Sequence, residues 1–168
     1  MLIGKFFNKI KTQHRNHFFS GLSFNSLNCK KNNIFFAIKG TKVDGNKFIT
    51  RAIKKGTKTI VSNVEPEGIR ENILYIKVKN VRKKLSEISY KIYNKIPNNL
   101  IAVTGTNGKS SIAEFYFQIL KLNKKKVASI GTLGIKTISN KINSSNTTLD
   151  PINLATHLEK LKRKKIDN

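Results

Sequence analysis

Seven consecutive residues in the middle of the chain have the types and spacing of a phosphate-binding loop: Gly105, Thr106, Asn107, Gly108, Lys109, Ser110 and Ser111. Glycines let backbone N–H groups come close to a phosphate, and the positive end of a following helix dipole favours the same anion. In such loops the lysine reaches the β- and γ-phosphates of a nucleotide, and the hydroxyl after it holds Mg²⁺. The stretch therefore predicts phosphate binding by Lys109 and magnesium binding by Ser110.

A loop of this kind needs a strand before it and a helix after it. The apolar run over residues 100–103 predicts a short buried strand. Beyond the loop, apolar residues recur at the spacing of one helix face, at Ile112, Phe115, Tyr116, Ile119 and Leu120. Val103 stands where the general pattern G-x-x-x-x-G-K-[ST] has its first glycine, so the match to that pattern is incomplete. The alternative is a Gly-Asn turn that merely joins a strand to a helix.

Three separated stretches resemble one family, the Mur ligases. Residues 104–110 read T-G-T-N-G-K-S, which resembles the ATP loop of that family and of its folate-ligase relatives. Residues 130–134 are similar to the I-G-T-x-G stretch that follows the loop, and Asn146, Thr147 and Thr148 resemble the N-T-T that contacts the muramoyl substrate. In this order and spacing, the stretches look like the family members that add the third residue of the peptidoglycan stem peptide.

The amino-terminal part is similar to the same family. Residues 25–49 follow its pattern D-S-R … L-F-x-A … G-x-x-x-D-G-H-x-[FY]-I, with departures at Asn25, Leu27 and Asn46, and a later departure places Leu149 where a proline is expected. In that family this domain holds the UDP end of the substrate. The resemblance implies substrate contacts from Phe24, Ser26, Thr41, Lys42 and Val43. Plain turn or capping roles remain the alternative for these residues, as for the polar loop at 146–148.

The resemblance implies an α/β fold with a small N-terminal substrate domain over 1–96 and the first part of a P-loop ATP domain over 97–168. It implies an ATP-dependent ligase that joins an amino acid to UDP-MurNAc-L-Ala-D-Glu through an acyl phosphate. Lys109 would stabilise the γ-phosphate in catalysis, with ATP and Mg²⁺ as cofactors. The small-molecule partners would be the UDP-MurNAc-dipeptide and a diamino acid, and whether that is diaminopimelate or lysine stays open.

The residues themselves predict further elements. Strands are expected over 34–38, 59–61, 73–78 and 127–130, and a short helix over 48–55 that ends before Gly56. A longer helix is expected with Val81, Leu85, Ile88 and Ile92 on one face, and the break at 96–99 gives the domain boundary. Asp150 and Pro151 predict the start of a last helix whose apolar face carries Leu154, His157, Leu158 and Leu161.

The net charge of +24, from 33 Lys and Arg against 9 Asp and Glu, raises a nucleic-acid alternative. The basic residues are spread along the chain among many Asn and Ile, and most Phe and Tyr fall on predicted core faces, so we favour a solvated lysine-rich surface. A nucleotide-binding module without ligase activity is the other alternative. We predict no nucleic-acid partner.

The sequence also indicates in which cellular compartment the protein is expected. Cys29 is the single cysteine, and no apolar run approaches the ~20 residues of a membrane span. Residues 1–19 are basic, without acids and rich in Phe, which leaves a transit peptide as the alternative to the ordinary N-terminal element that we favour. We therefore expect a cytoplasmic protein without membrane insertion.

A complete ligase of this family has three domains, which at ~100–200 residues each exceed the present chain. We therefore expect an N-terminal fragment that is inactive alone and is completed by a C-terminal chain. We also expect the helix after the loop to have an apolar face that too little sheet covers. Residues 146–148 are expected on the same face as the loop, because the substrate carboxylate must approach the γ-phosphate.

Overall fold

A five-stranded sheet lies at the centre of the first part of the chain, Met1–Lys91, one of the two compact units of the computed structural model. The structure describes residues 1–8, 10–41, 43–142 and 149–168. The strands of this sheet are β1 (Gly21–Ser23), β2 (Asn33–Phe36), β3 (Thr59–Ser62), β4 (Gly68–Arg70) and β5 (Ile73–Lys77). Two helices belong to this part, α1 (Ile49–Lys54) and α2 (Val81–Ile92).

The sheet has the strand order β1-β2-β3-β5-β4. Neighbouring strands are parallel except for β4, which runs antiparallel to β5 at the edge. Every residue of β2 and β3 is buried, as expected for inner parallel strands that are covered on both faces. The core beneath α1 joins residues from loops, strands and helix: Cys29, Phe35, Ala37, Ile49, Ala52, Ile60 and Ile73.

The predicted elements of this first unit are confirmed. Strands occur where β2, β3 and β5 were expected, and α1 ends before Gly56, whose φ of 89° is the left-handed conformation that glycine adopts without strain. Val81, Leu85 and Ile88 of α2 are buried. The sequence did not predict β1 or β4, because three residues are too few to show a period. Residues Ile3 and Phe19 are fully buried, as expected of an ordinary N-terminal element.

The second unit, Ile92–Asn168, contains a three-stranded antiparallel sheet and two helices. Its elements are α3 (Lys109–Leu122), β6 (Ala128–Gly131), β7 (Gly134–Thr137), β8 (Lys141–Ile142) and α4 (Pro151–Arg163). Strands β6 and β7 form a hairpin in which Gly131 pairs with Gly134 across the two-residue turn Thr132–Leu133. The α/β fold class is therefore confirmed, and the strand expected at 127–130 is present with a shift of one residue.

The strand expected at 100–103 is wrong. These residues have no regular secondary structure, and Leu100 and Ile101 are 52% and 60% exposed. An inner strand needs a hydrogen-bonded neighbour on each side, and within the described residues the sheet of this unit ends at β6. The apolar run therefore has the composition of a buried strand without the partners that would make it one.

The apolar face of α3 is largely exposed, which confirms the expectation that too little sheet covers it. The exposed residues of this helix include Ile112, Phe115, Tyr116, Ile119 and Leu122. Phe117, which lies off the predicted face, is the buried one, because it packs towards the hairpin side where Lys136 lies 4.5 Å from its ring centre. No helix among the described residues is long and apolar enough to cross a membrane.

The last helix begins as the sequence predicts. The Asp150 side chain accepts hydrogen bonds of 3.0 Å from the backbone N–H groups of both Ile152 and Asn153, and Pro151 follows it at the first helical position. These bonds satisfy two of the N–H groups that every helix start leaves free. Leu158 and Leu161 are buried, and burial lowers the pKa of the partly covered His157 below its ordinary value.

We predict that Asp150→Ala lowers the free energy of unfolding by about 0.5–2 kcal/mol, because the helix start loses its acceptor. The Asp150→Asn variant keeps an oxygen acceptor and should stay close to the parent. Chemical denaturation and amide hydrogen exchange at Ile152 and Asn153 measure both effects. Equal stability of the Ala variant and the parent would show that the cap contributes nothing.

Candidate functional site

The glycine-rich loop ends at a left-handed residue. Gly108 has φ 75° and ψ −8° and stands directly before the first residue of α3. Any other residue at this position would have a backbone conformation that L-residues avoid, although its Cβ atom would meet no other atom within 4 Å. Gly105 also has a positive φ, of 148°. Two glycines thus shape the loop, and their conformations aim it at the N-terminus of α3, where the helix dipole favours anions.

Lys109 folds back over the loop. Its Nζ donates hydrogen bonds to the backbone carbonyls of Gly105 and Thr106, the latter at 3.0 Å. A single ammonium group therefore lies above the loop backbone at the start of the helix, where its charge adds to that of the helix end. Thr106, Asn107, Ser110 and Ser111 are exposed beside it. The geometry offers a cation, hydroxyls and helix-start N–H groups to one anion.

The loop fits a polyphosphate better than it fits a metal ion alone. Open space above Gly108, the loop cation and the exposed hydroxyls suit phosphate oxygens. Among the described residues there is no group of three or more His, Cys, Asp or Glu that could hold a metal. Mg²⁺ commonly keeps waters and shares phosphate oxygens with one or two protein ligands. Ser110 is thus a suitable but partial ligand, and the phosphates themselves would have to supply others.

A polar and aromatic contact fixes α3 to the β6–β7 hairpin. The Lys136 ammonium of β7 donates to the Glu114 carboxylate at 2.6 Å and lies over the ring of Phe117. Gln118 donates to the same carboxylate at 2.5 Å. The hydrogen bond from Lys136, followed by that from Gln118, holds the pKa of Glu114 below its ordinary value. This contact orients the helix that follows the glycine-rich loop, and no local sequence pattern predicted it.

The substrate-side residues of the first unit gather at one edge of its sheet. Phe24 and Ser26 follow the carboxyl end of β1, and Thr41 and Val43 lie in the turn after the neighbouring β2. The carboxyl ends of parallel strands share an edge, which is where open α/β sheets bind ligands. Phe24, Thr41 and Val43 are exposed, whereas Ser26 is buried. The edge can therefore present an aromatic ring and a turn to a ligand.

A hydrogen-bond network that the sequence did not predict holds this turn. Asn46 donates from its backbone N–H and its side chain to Asp44, at 2.9 and 2.8 Å. The Ser62 hydroxyl at the end of β3 donates to the Asn46 side-chain oxygen at 2.8 Å. The backbone bond from Asn46, followed by its side-chain bond, holds the pKa of Asp44 below its ordinary value. Asn46, a departure from the family pattern, thus joins the turn to the next strand.

Four predicted substrate residues lie outside the described residues. They are Lys42, Asn146, Thr147 and Thr148. The expectation that 146–148 share a face with the loop is therefore not tested, and it stays a prediction. Residues 25–27 are described, and the Asn25 side chain accepts from the Leu27 N–H at 2.9 Å, which is a cap of the short turn that follows.

Comparison with protein families gives two matches that together account for most of the chain. Residues 18–99 match the description "Mur ligase family, catalytic domain", and residues 103–168 match "Mur ligase middle domain". The chain therefore belongs to the Mur ligase family. The second match begins at Val103, the last residue of the apolar run, and contains the whole glycine-rich loop.

The chain is also similar to individual enzymes of this family. The chain is 39% identical over 152 residues to the UDP-N-acetylmuramoyl-L-alanyl-D-glutamate–2,6-diaminopimelate ligase of Rickettsia prowazekii, covering 90% of this chain and 30% of that protein. It is 37% identical over 144 residues to the enzyme of the same name from Clostridioides difficile, covering 84% and 29%. The chain thus spans about 30% of the length of these relatives.

A solved structure of a UDP-N-acetylmuramoyl-L-alanyl-D-glutamate–2,6-diaminopimelate ligase has the same fold. It superposes with a TM-score of 0.79 at 23% identity, covering 99% of this chain and 34% of that one. At 23% identity, this structural similarity is evidence for the fold alone. It extends over both units of the chain.

We predict that Gly108→Ala lowers the free energy of unfolding by about 1–2 kcal/mol, because alanine is strained in the left-handed conformation even though its methyl group has room. Gly131→Ala is the matched control, since a methyl group there also meets nothing within 4 Å. Unlike Gly108, Gly131 does not have a positive φ, so alanine is not strained there. Chemical denaturation followed by circular dichroism compares them. Equal effects of the two substitutions would contradict the conformational requirement at Gly108.

Proposed function

We propose that this chain is the substrate-binding and phosphate-binding part of an ATP-dependent amide ligase of peptidoglycan precursor synthesis. The observation that carries the proposal is the loop at residues 105–111. In it Gly108 has a left-handed conformation, and Lys109 is the first residue of α3 and folds back over the loop. The loop occurs in a chain about 40% identical to diaminopimelate-adding ligases. The reaction joins an amino acid, for which the relatives' names favour 2,6-diaminopimelate, to UDP-MurNAc-L-Ala-D-Glu.

In this proposal the work is divided between two domains, residues 1–96 and residues 97–168. Residues 1–96 hold the UDP end of the substrate, with Phe24, Ser26, Thr41, Lys42 and Val43 as contacts. The support is the place of the described ones, Phe24, Ser26, Thr41 and Val43, at the carboxyl edge of β1 and β2, the edge at which open α/β sheets take ligands. Asn146, Thr147 and Thr148 contact the muramoyl part of the same substrate. The enzyme works in the cytoplasm, where ATP is available.

Residues 97–168 hold the triphosphate. Lys109 exchanges its two carbonyl acceptors for phosphate oxygens, which carry full negative charge and therefore bind the ammonium more strongly. Gly105, Thr106, Asn107, Gly108 and Ser111 surround the phosphates with the loop and the helix start. ATP supplies the phosphoryl group that activates the substrate carboxylate for attack by the amine, and Ser110 holds the accompanying Mg²⁺. Positioning and charge neutralisation are the protein's contributions.

We predict that Lys109→Ala weakens ATP binding by about 1.5–3 kcal/mol, which corresponds to roughly tenfold to more than a hundredfold. The variant removes the only side-chain cation of residues 105–111. Lys125→Ala is the matched control, because Lys125 is an exposed lysine on the turn after α3 and its loss changes the net charge equally. Isothermal calorimetry with ATP and Mg²⁺ measures both. The phosphate-loop assignment is wrong if all three proteins bind alike.

We predict that a polypeptide of these 168 residues releases no phosphate when given ATP, Mg²⁺, the UDP-muramoyl dipeptide and a diamino acid. The described residues provide one cation and hydroxyls at the loop, and none of them forms a carboxylate cluster that could hold Mg²⁺. Such an arrangement neutralises too little of the charge that phosphoryl transfer develops. A phosphate-release assay with Lys109→Ala as its background tests this. Substrate-dependent release above that background would refute it.

A further inference from the structure

Five exposed lysines lie at the amino ends of two inner strands of the first sheet. The loop before β2 carries Lys30 and Lys31, and the segment that ends α1 and leads into β3 carries Lys54, Lys55 and Lys58. Because β2 and β3 are parallel neighbours, their amino ends share one edge of the sheet. This edge is opposite to the carboxyl edge that holds the predicted substrate residues. We call these five residues the lysine edge.

Backbone contacts hold the two lysine-bearing loops against each other. The Asn32 N–H donates to the Gly56 carbonyl at 2.8 Å, and a Cβ atom added to Gly56 would meet the Lys31 Cα atom at 3.1 Å. The Lys31 carbonyl accepts from the Ser20 hydroxyl at 2.8 Å, which joins the same loop to the start of β1. The two loops therefore form one continuous surface, on which the charges of the five lysines add.

Acidic residues do little to neutralise the lysine edge. The ion pairs of the described residues include none of its five lysines. The described acid at the same edge is Glu71, in the turn before β5, one strand further along the sheet from β3. Like charges gathered on one surface without counter-charges attract an anionic partner.

An exposed apolar pair borders the lysine edge. Leu2 and Phe18 face each other in an antiparallel bridge, and they are 40% and 53% exposed. Their chain neighbours Ile3 and Phe19 are fully buried. Because successive side chains of extended segments point to opposite sides, Leu2 and Phe18 point outwards together. Two large apolar side chains thus form one exposed patch.

This pair lies next to both loops of the lysine edge. Directly before Phe18, burial lowers the pKa of the His17 ring, and the contact of this ring with the Lys58 backbone raises it in part. Two residues after Phe18, the Ser20 N–H donates to the Asn32 carbonyl at 2.9 Å. Residues on either side of Phe18 therefore contact the loop before β3 and the loop before β2. The apolar pair and the lysines belong to one surface.

The combination of the two features fits the surface of an anionic membrane. Exposed Phe and Leu side chains enter the boundary between headgroups and acyl chains, while lysines beside them reach the lipid phosphates. A double-stranded nucleic acid would use the lysines for its phosphates and would leave the apolar pair in water. The net charge of +24 adds a longer-range attraction to any anionic surface.

We propose that the lysine edge and the Leu2–Phe18 pair dock the first unit on an anionic phospholipid surface. The contact is peripheral, with the two apolar side chains in the headgroup boundary and the lysines on the phosphates around them. Because the amino edge of the sheet meets the lipid, the carboxyl edge stays open to water and to ligands. Docking is independent of the proposed ligase activity, since it involves none of the residues of the phosphate loop.

A tryptophan reporter tests where the chain meets the lipid, because the sequence contains no tryptophan of its own. Phe18→Trp places the reporter in the apolar pair. The matched control, Val64→Trp, places it at an exposed residue beyond the carboxyl end of β3. With vesicles of equal parts phosphatidylglycerol and phosphatidylcholine, we expect the emission of Phe18→Trp to move to shorter wavelengths and that of Val64→Trp to stay unchanged. An unshifted Phe18→Trp, or equal shifts in both variants, overturns the proposal.

Paired charge reversals test the lysines by vesicle sedimentation of the 168-residue chain. One variant combines Lys31→Glu with Lys55→Glu. Its control combines Lys77→Glu with Lys79→Glu, which changes the net charge equally at the carboxyl end of β5. We expect the first variant to lose at least about tenfold more affinity than the control, because lysines held at the lipid surface contribute most. Equal losses would reveal a diffuse attraction of the whole charge and would overturn the proposal.

Two further probes separate the lipid from other anions and from neutral surfaces. We expect vesicles of phosphatidylcholine alone to bind the chain at least about tenfold more weakly than the mixed vesicles. Equal binding to both kinds of vesicle contradicts the role of the lysines. A chain that binds a single-stranded oligouridylate but not the mixed vesicles has a nucleic-acid partner instead, which also overturns the proposal. All of these measurements omit ATP and substrate, so their outcome does not depend on the proposed function.

Discussion

Strand pairing is the constraint on which this chain depends, because every backbone N–H and C=O group of a buried strand must find a partner. In the first unit the requirement is met. Strands β2 and β3 each have a parallel neighbour on both sides, and all of their side chains are buried. The loops that leave the carboxyl ends of these strands are consequently held by a rigid sheet. The short hydrogen-bonded turn at Asp44, Asn46 and Ser62 depends on that support.

The second unit meets the same requirement only in part. Its sheet is a meander of short strands, and β6 has a described neighbour on one side. The run over residues 100–103 therefore stays outside any strand, and the apolar face of α3 is exposed. What does hold α3 is local: Phe117 is buried, and Lys136 pairs with Glu114. The glycine-rich loop at residues 105–111 still leads into the start of α3, although the strand expected before it is not formed.

The acidic residues of this basic chain act through local contacts. Most of its few acidic residues have a defined partner: Glu65, Glu87, Glu114, Glu159 and Asp167 in ion pairs, and Asp44 and Asp150 as caps. The pairs are largely solvent-exposed, so each contributes little to stability. Their use is to orient particular segments, such as α3 through Glu114. The excess lysines lie mainly at the surface.

The sequence by itself determined what depends on neighbouring residues. It predicted the inner strands and the caps at Gly56 and Asp150, because periodicity, glycine conformation and helix-start hydrogen bonds act within a few residues. It also predicted a glycine-rich loop before a helix, because its glycines and lysine are adjacent in the chain. The tertiary structure decided the remainder. Whether residues 100–103 become a strand, which face of α3 is buried, and that Asn46 meets Ser62 all depend on partners distant in sequence, which no local pattern specifies.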